Sequence, residues 1–118
     1  MLQIIPRPAH AVLDYMYGLK ALAAPKVIGF EDDDKARLVA TIAGVGAIVS
    51  ALTTRHEGGL LKLVPFNTHL KLDFGSAILT LASPWLFGFA DNPRARNTII
   101  GLAVLELAVV TLSQPDQE

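Results

Sequence analysis

The second half of this chain repeats the first half, and this internal repeat constrains the fold more than any other feature. Residues 6–30 align with residues 65–89 at a constant offset of 59 residues, without gaps. A repeat of this kind is typical of a supersecondary unit that occurs more than once in a domain. We therefore predict a single domain over residues 1–118, with repeat one at about 1–59 and repeat two at about 60–118. The identical pairs are Pro6/Pro65, His10/His69, Leu13/Leu72, Asp14/Asp73, Leu22/Leu81, Ala23/Ala82, Pro25/Pro84, Gly29/Gly88 and Phe30/Phe89.

Helix breakers divide each repeat into two apolar segments. Pro25 and Pro84 are expected to stop the first helix of each repeat, because a proline ring clashes with the turn before it. Gly29 and Gly88 then supply the tight reversal into the second helix. We predict four helices, near residues 8–24, 34–54, 67–83 and 93–112. The expected helix N-caps are Asp32, Asp33 or Asp34, then Thr68, and finally Asn92 followed by Pro93.

The apolar segments suit contact with lipid. Hydrophobic residues make up 52% of the chain and charged residues only 18%, whereas a soluble domain usually carries about 25% charged residues. Residues 38–54 and 74–90 are uncharged, and as helices each run spans about 26 Å, close to a hydrocarbon core of about 30 Å. The sequence therefore predicts an all-α, four-helix transmembrane bundle surrounded by a lipid bilayer. A soluble four-helix bundle with a very apolar core is the alternative.

Tandem hairpins in a membrane share one orientation, so a pseudo-twofold axis along the membrane normal is expected to relate the two repeats. Both termini and the middle loop, residues 55–67, then lie on one side of the membrane, which we name side A. The two hairpin turns lie on the opposite side, side B. Basic residues are divided too evenly between the two sides to identify the cytoplasmic face.

Composition excludes several classes of function. The net charge of -1 gives no basic surface for nucleic acid. The chain has no cysteine, so disulfides, thiolate catalysis and cysteine-ligated metal clusters are excluded. No nucleophile–base arrangement or phosphate-binding glycine loop is present, so an enzyme is the less favoured class, and the sequence requires no cofactor. The N-terminus also lacks the pattern of a cleavable signal peptide.

Short motifs in both repeats match a known family. Residues 83–89, SPWLFGF, resemble the signature of the SPW-repeat membrane proteins of bacteria. The helix starts at residues 10–15 and 69–73, and the middle-loop residues 54–58, are also similar to the two-repeat members. The resemblance implies a four-helix integral membrane protein, which we expect in the bacterial inner membrane, and it implies no established biochemical activity. Trp85 is expected to anchor the chain at the side B membrane interface, whereas repeat one has Lys26 at that position.

Polar residues form a stripe along the first helix of each repeat, and all three histidines of the chain fall on side A. Residues three and four apart share one face of a helix, and a pseudo-twofold axis could bring the two stripes together. One interpretation is structural, because an aspartate near a helix N-terminus is favoured by the helix dipole. The alternatives are a metal or haem site with His10 and His69 as candidate ligands, and a proton- or ion-handling site. The stripes are His10, Asp14 and Tyr17 in repeat one, and His69, Asp73 and Ser76 in repeat two.

Glu106 is a further candidate. Its counterpart in repeat one is Ala47, so the duplication does not explain it. A charge within a membrane span is costly and is usually paired or functional. Counted along the helices, Glu106 is expected at the level of Asp14 and Asp73, about 9 Å from side A. We therefore expect at least two of these carboxylates to face the bundle interior.

These features leave three functional hypotheses. The first is a non-catalytic membrane protein that acts as a scaffold, accessory or assembly subunit, with a second copy or another membrane protein as its partner. The second is a membrane protein that binds a metal, haem or small ligand at the His/Asp stripes on side A. The third is a small ion- or proton-conducting oligomer, and it rests mainly on Glu106.

Overall fold

Four helices make up the fold, as the repeat predicts. The structure is a computed structural model that describes residues 3–116. A five-residue π turn, Pro25–Gly29, follows the first helix, and no strand occurs within the described residues. The helices are α1 (Arg7–Ala24), α2 (Asp34–Thr53), α3 (Phe66–Leu86) and α4 (Pro93–Leu112).

Pro84 does not stop α3 as expected, because the helix continues through it to Leu86. A proline lacks the N–H donor but keeps its carbonyl acceptor, and the backbone N–H of Phe89 donates to Pro84 O at 2.9 Å. The matching bond in repeat one runs from Phe30 N–H to Pro25 O at 2.8 Å, where Pro25 opens the π turn. Pro25 therefore directly follows the last residue of α1, as expected, whereas Pro84 lies within the final turn of α3.

The start of α3 also differs from the prediction. Pro65 occupies the N-cap position, and Thr68 lies inside the helix. The fixed backbone angle of proline suits a helix start. The backbone N–H of His69 donates to Pro65 O at 3.0 Å, and that of His10 donates to Pro6 O at 3.0 Å. The two prolines thus begin the helices that carry the polar stripes.

Asp33 and Asn92, which lie 59 residues apart in the sequence, cap α2 and α4. Each side chain accepts the backbone N–H of the residue three positions on, at 3.1 Å for Asp33 and 3.3 Å for Asn92. Asn92 Nδ2 also donates to Asp33 Oδ2 at 3.0 Å, which joins the two hairpin turns at side B. The tight reversals occur at Gly29 and Gly88, with φ angles of 95° and 81° that glycine tolerates.

The segments at the other end of the bundle also pair with one another. Ile5 forms an isolated parallel bridge with Ser113, and Val64 forms one with Thr54. The Ile5 N–H donates to the carbonyl of Leu112, the last residue of α4, at 2.9 Å. The Val64 N–H donates to the carbonyl of Thr53, the last residue of α2, also at 2.9 Å. These bonds bring the N-terminal segment, the C-terminal segment and the middle loop to one end of the fold. We use the name side A for this end and side B for the end with the two hairpin turns.

Glycines allow α1 and α2 to approach closely. A Cβ atom built on Gly18 would lie 3.0 Å from Gly44 O, and one built on Gly44 would lie 2.8 Å from Gly18 O. Contacts between small residues of this kind are common between helices in membranes. At side B the core closes over Phe30 and Phe89, which are both buried.

Among the described residues, only α2 and α4 are long and apolar enough to cross a membrane, whereas the sequence predicts four spans. Charged residues reduce the apolar character of the other two helices, notably Asp14 and Lys20 in α1 and Lys71 and Asp73 in α3. The apolar windows of α2 and α4 are only 22% and 28% buried within the chain. A core helix of a soluble protein would be mostly buried, so these apolar surfaces are compatible with a small membrane protein.

Candidate functional site

Two histidines and two aspartates, one of each from each repeat, meet at the side A end of the bundle. His10 Nε2 lies 3.1 Å from Asp14 Oδ1 and 3.1 Å from Asp73 Oδ2. His69 Nε2 lies 2.8 Å from Asp14 Oδ2 and 2.9 Å from Asp73 Oδ2. Each imidazole of α1 and α3 therefore faces both carboxylates. We name these four residues the His/Asp cluster.

The His/Asp cluster is largely enclosed by the chain. The side chains of Asp14 and Asp73 are 12% and 14% exposed, and both imidazoles are buried. Phe66 packs against the two histidines, with its ring centroid 5.3 Å from that of His10 and 6.1 Å from that of His69. Little water reaches the cluster, so its charges interact more strongly than charges at a protein surface.

Hydroxyl groups hold the other nitrogen of each imidazole. His10 Nδ1 lies 2.6 Å from Ser113 Oγ, which donates its own proton to a backbone carbonyl of α4. His69 Nδ1 lies 2.7 Å from Thr54 Oγ1, which donates to a backbone carbonyl of α2, and 3.0 Å from Ser50 Oγ. Because the Ser113 and Thr54 hydroxyls each have one hydrogen and donate it elsewhere, the hydroxyl oxygen accepts from the imidazole and Nδ1 carries a proton. Nε2 is therefore the nitrogen available to the carboxylates.

The close contacts within the His/Asp cluster are not all hydrogen bonds. His69 Nε2 and Asp14 Oδ2 approach to 2.8 Å, yet neither atom has a hydrogen-bond partner among the described residues. A buried polar atom without such a partner is unusual and costly. One ligand-type atom from each of the four side chains lies within 4.8 Å of the others. These atoms therefore converge on a common region and do not simply form pairs.

A third histidine, His56, reaches the cluster from the middle loop. Its imidazole is buried, with Nε2 3.9 Å from Asp14 Oδ2, and neither ring nitrogen has a hydrogen-bond partner among the described residues. Burial lowers the pKa of His56 below its ordinary value of 6.5, which favours the neutral ring. His56 is absent from the predicted stripes because the repeat aligns it with Pro115. The sequence indicates His56 only through the prediction that all three histidines lie on side A.

Contacts with α1 hold the loop that carries His56. The Tyr15 hydroxyl donates to Gly58 O. Arg7 Nε donates to Glu57 Oε1 at 2.8 Å, and Arg7 Nη1 donates to Asp116 Oδ1 at 3.0 Å. Arg7 therefore links the middle loop to the C-terminal segment beside the start of α1.

The other predicted stripe residues lie outside the His/Asp cluster. Tyr17, Ser76 and Glu106 line a cleft of about 570 Å³ between α2 and α3, and Asp73 is the cluster residue that shares its wall. Ser76 is exposed, and Glu106 is half-buried. The position of Glu106 along α4 predicts its distance from side A. The rotation of α4 about its axis decides which residues Glu106 contacts.

The family of the chain follows from its match to a known domain. The model of the SPW repeat domain matches residues 8–111. The chain belongs to the SPW repeat family. No curated protein and no solved structure matches it.

The signature of this SPW repeat protein, Ser83–Trp85, lies near the side B end of α3. Ser83 Oγ donates to Thr80 O at 2.7 Å, and Trp85 is 60% exposed. The His/Asp cluster lies at the opposite end of the same helix. The SPW motif therefore belongs to the helix end and the reversal, and it makes no contact with the cluster.

Proposed function

We propose that this SPW repeat protein is a small integral membrane protein that binds one divalent transition-metal ion at the His/Asp cluster. The observation that carries the proposal is the convergence of two imidazole nitrogens and two carboxylates, with one atom of each within 4.8 Å of the others. Imidazole nitrogen and carboxylate oxygen are common ligands of Zn²⁺ and of other first-row ions. The four ligands come from α1 and α3, which are rigid elements.

The dimensions of the cluster suit a small ion. Ligand atoms in a tetrahedral zinc site are about 3.3 Å apart, because the bonds are about 2.0–2.1 Å long. The Nε2–carboxylate distances of 2.8–3.1 Å therefore need a small expansion, and the ligand atoms that lie farthest apart, within 4.8 Å of one another, need to move closer together. A haem does not fit between the two imidazoles, because one oxygen of Asp73 lies 3.1 Å from His10 Nε2 and 2.9 Å from His69 Nε2 and occupies the space that the macrocycle would need.

The hydroxyl groups behind the histidines support the same assignment. A metal-bound histidine usually donates its other ring N–H to a fixed acceptor, which sets the tautomer and the ring orientation. Ser113 and Thr54 provide such acceptors. Without a metal, protons on the two Nε2 atoms balance the two carboxylates. One divalent ion that replaces both protons leaves the net charge of this enclosed cluster unchanged, so we expect binding to release protons.

We infer that all four helices span the membrane. The charges of Asp14 and Asp73 lie within the His/Asp cluster and so do not face lipid. Large apolar side chains on the outer surfaces of these helices are exposed, including Leu19 on α1 and Phe74 on α3. Together with the family, these surfaces favour a bacterial inner membrane location, with lipid as the surroundings. Trp85, exposed near the end of α3, is proposed as the interfacial anchor at side B.

We also infer a pseudo-twofold relation between the repeats, because contacts recur at matching positions. His10 contacts Ser113, and His69 contacts Thr54. His69 follows His10 by 59 residues, and Ser113 follows Thr54 by the same 59 residues. The two bridges at side A and the bonded N-caps at side B follow the same rule.

A structural role is the second candidate function, and the connections between hairpins favour it. His10 of the first hairpin bonds to Ser113 of the second, and His69 of the second bonds to Thr54 of the first. The cluster can therefore clamp the two hairpins together without a metal. Such a clamp suits a scaffold or accessory subunit that contacts a second copy or another membrane protein.

Metal analysis of the protein purified in mild detergent separates these two functions. After dialysis against Co²⁺ or Zn²⁺, the protein is expected to hold one ion per chain, to absorb visible light with Co²⁺, and to release about two protons per ion. His69→Asn and Asp73→Asn should each abolish binding. Glu106→Gln is the control, because Glu106 lies outside the cluster. A helical wild-type protein that takes up no stoichiometric metal would overturn the metal proposal in favour of the clamp.

A further inference from the structure

The cleft between α2 and α3 is a second candidate site, and the argument for it does not depend on the metal proposal. Its volume of about 570 Å³ falls within the range of small-molecule sites, about 300–1,000 Å³. Its apolar wall includes Ile42 and Leu79, which are also 63% and 57% exposed at the outer surface. The cleft therefore opens sideways, towards the lipid in the proposed membrane arrangement.

The cleft exists because the two repeats differ at specific positions. The corresponding groove between α1 and α4 encloses only about 60 Å³. Large side chains fill that groove where the cleft has small ones, and a Cβ atom built on Gly46 would meet nothing within 4 Å. Protein interiors rarely leave such space unfilled. The matched pairs, with the residue of the narrow groove first, are Tyr17/Ser76, Leu105/Gly46 and Val109/Ser50.

The polar groups on the wall of the cleft favour a positive charge. Glu106 takes part in none of the ion pairs within residues 3–116. Tyr17 is only 8% exposed, and its hydroxyl interacts with the Glu106 carboxyl group on the same wall. Asp73 also lines the cleft, but its charge is balanced within the His/Asp cluster, and the lining includes no lysine or arginine. A carboxylate among apolar side chains in a membrane is costly without a counter-charge.

We propose that the cleft binds a hydrophobic organic cation, such as an alkylammonium ion, which enters from the lipid phase. The ammonium group donates hydrogen bonds to the Glu106 carboxylate and to Tyr17 Oη. The apolar body of the ligand lies between α2 and α3, where Gly46 and Ser50 leave room. The wall is mostly apolar, so an organic cation fits it better than a hydrated metal ion.

Equilibrium binding to the full chain in lipid nanodiscs tests the proposal, with empty nanodiscs as the baseline. The probes are octylammonium, octanol and octanoate, which share one apolar chain and differ in charge. Octylammonium is expected to bind one per chain and at least about tenfold more tightly than octanol, as a charge-assisted hydrogen bond implies. Octanoate should bind most weakly.

Variants locate the binding in the cleft. Glu106→Gln should remove the preference for octylammonium over octanol. The double change Gly46→Leu and Ser76→Tyr introduces the residues of the narrow groove without touching the His/Asp cluster and should prevent binding of all three probes. Met16→Leu, which alters the narrow groove only, is the control and should change nothing. Circular dichroism should show unchanged helix content for each variant.

Two results would overturn the proposal. Equal affinity for the three probes, unaffected by Glu106→Gln, would mean that the cleft holds a lipid chain and does not select charge. Absence of probe binding, together with a dimer that Gly46→Leu and Ser76→Tyr convert to a monomer, would mean that a second copy of the chain covers the cleft.

Discussion

His10 and His69 are 59 positions apart in the sequence, and their imidazole rings meet in a T-shaped contact with centroids 5.3 Å apart. Each ring belongs to a different hairpin, so the contact lies on the boundary between the repeats. Both rings also face the same two carboxylates. A change on one hairpin should therefore alter the environment of the histidine on the other.

Substitution of Asp14 and Asp73 tests whether both imidazoles depend on the same two carboxylates. Asp14→Asn and Asp73→Asn are each expected to lower the free energy of unfolding by about 1–3 kcal/mol, because each removes a charged partner of both imidazoles. The double variant should lose less than the sum, with a coupling of about 0.5–3 kcal/mol, since the same imidazoles are affected in both single variants. Unfolding by SDS in mixed micelles, followed by circular dichroism, provides the free energies.

The exposed Asp34 of α2 supplies a control for the aspartate series, because Asp34→Asn removes a carboxylate that pairs only at the surface with Arg37. That substitution should change stability little. Additive effects of Asp14→Asn and Asp73→Asn would show that each carboxylate stabilises only the start of its own helix. The proposal of a shared site would then lose its main support.

The hydroxyl groups behind the histidines should affect metal binding without being ligands. Ser113→Ala removes the acceptor of the Nδ1–H of His10. Thr54→Val removes the nearer of the two hydroxyls beside His69 Nδ1, since Ser50 Oγ also lies 3.0 Å from it. Loss of such a partner typically weakens metal binding by about 10–100-fold. Competition with a chromogenic chelator measures the affinity. Thr53→Val and Thr111→Val are matched controls, because those hydroxyls donate to backbone carbonyls and contact no histidine. Equal loss in the controls would contradict this role.

His56 should make the stability of the protein depend on pH below its ordinary pKa of 6.5. Burial lowers the pKa of His56 in the folded chain, so the unfolded chain takes up a proton there first as the pH falls. Stability therefore decreases as the pH falls through about 6.5, and it is retained above that value.

The variant His56→Gln isolates this contribution, because every other titratable group is the same in both proteins. The loss of unfolding free energy between about pH 7 and pH 5 should be smaller in the variant than in the wild type. Unfolding titrations across that range measure the difference. Parallel curves for the two proteins would mean that burial does not perturb His56 as described.

Much of the fold follows from local signals in the sequence. The repeat gives the number and order of the helices, and the predicted caps Asp33 and Asn92 lie where an acceptor side chain precedes an apolar segment. Pro84 is the exception, because its carbonyl still accepts a hydrogen bond and the helix runs on to Leu86. A breaker residue thus predicts the neighbourhood of a helix end more reliably than the end itself.

The candidate site is only partly readable from the sequence. Duplication and helical spacing indicate that Asp14 and Asp73 share one level, with His10 and His69 one turn closer to side A on the same helix faces. Spacing does not reveal the hydroxyls of Thr54 and Ser113, because these residues follow helix ends and reach the imidazoles only through the tertiary fold. His56 has no histidine counterpart in the second repeat, so the repeat does not indicate it. The repeat also does not determine the rotation of α4 that places Glu106 at the cleft.

The number of membrane spans can be tested by labelling, because the chain has no cysteine and single cysteines can be introduced without background. Glu31→Cys and Asp91→Cys mark the two hairpin turns, and Leu60→Cys marks the middle loop; all three positions are exposed. With four spans, both turns lie on side B and the middle loop lies on side A. In inner-membrane vesicles of known orientation, an impermeant maleimide should therefore label positions 31 and 91 from the same face and position 60 from the other.

A chain in which only α2 and α4 cross the membrane gives a different result. The first crossing then separates position 31 from position 60, and α3 stays on one side, so positions 60 and 91 would be labelled from the same face. Labelling of positions 31 and 91 from opposite faces would therefore overturn the four-span proposal. The two arrangements differ in the face reached by position 91, and solubilised vesicles, in which all three cysteines should react, confirm that each residue is accessible.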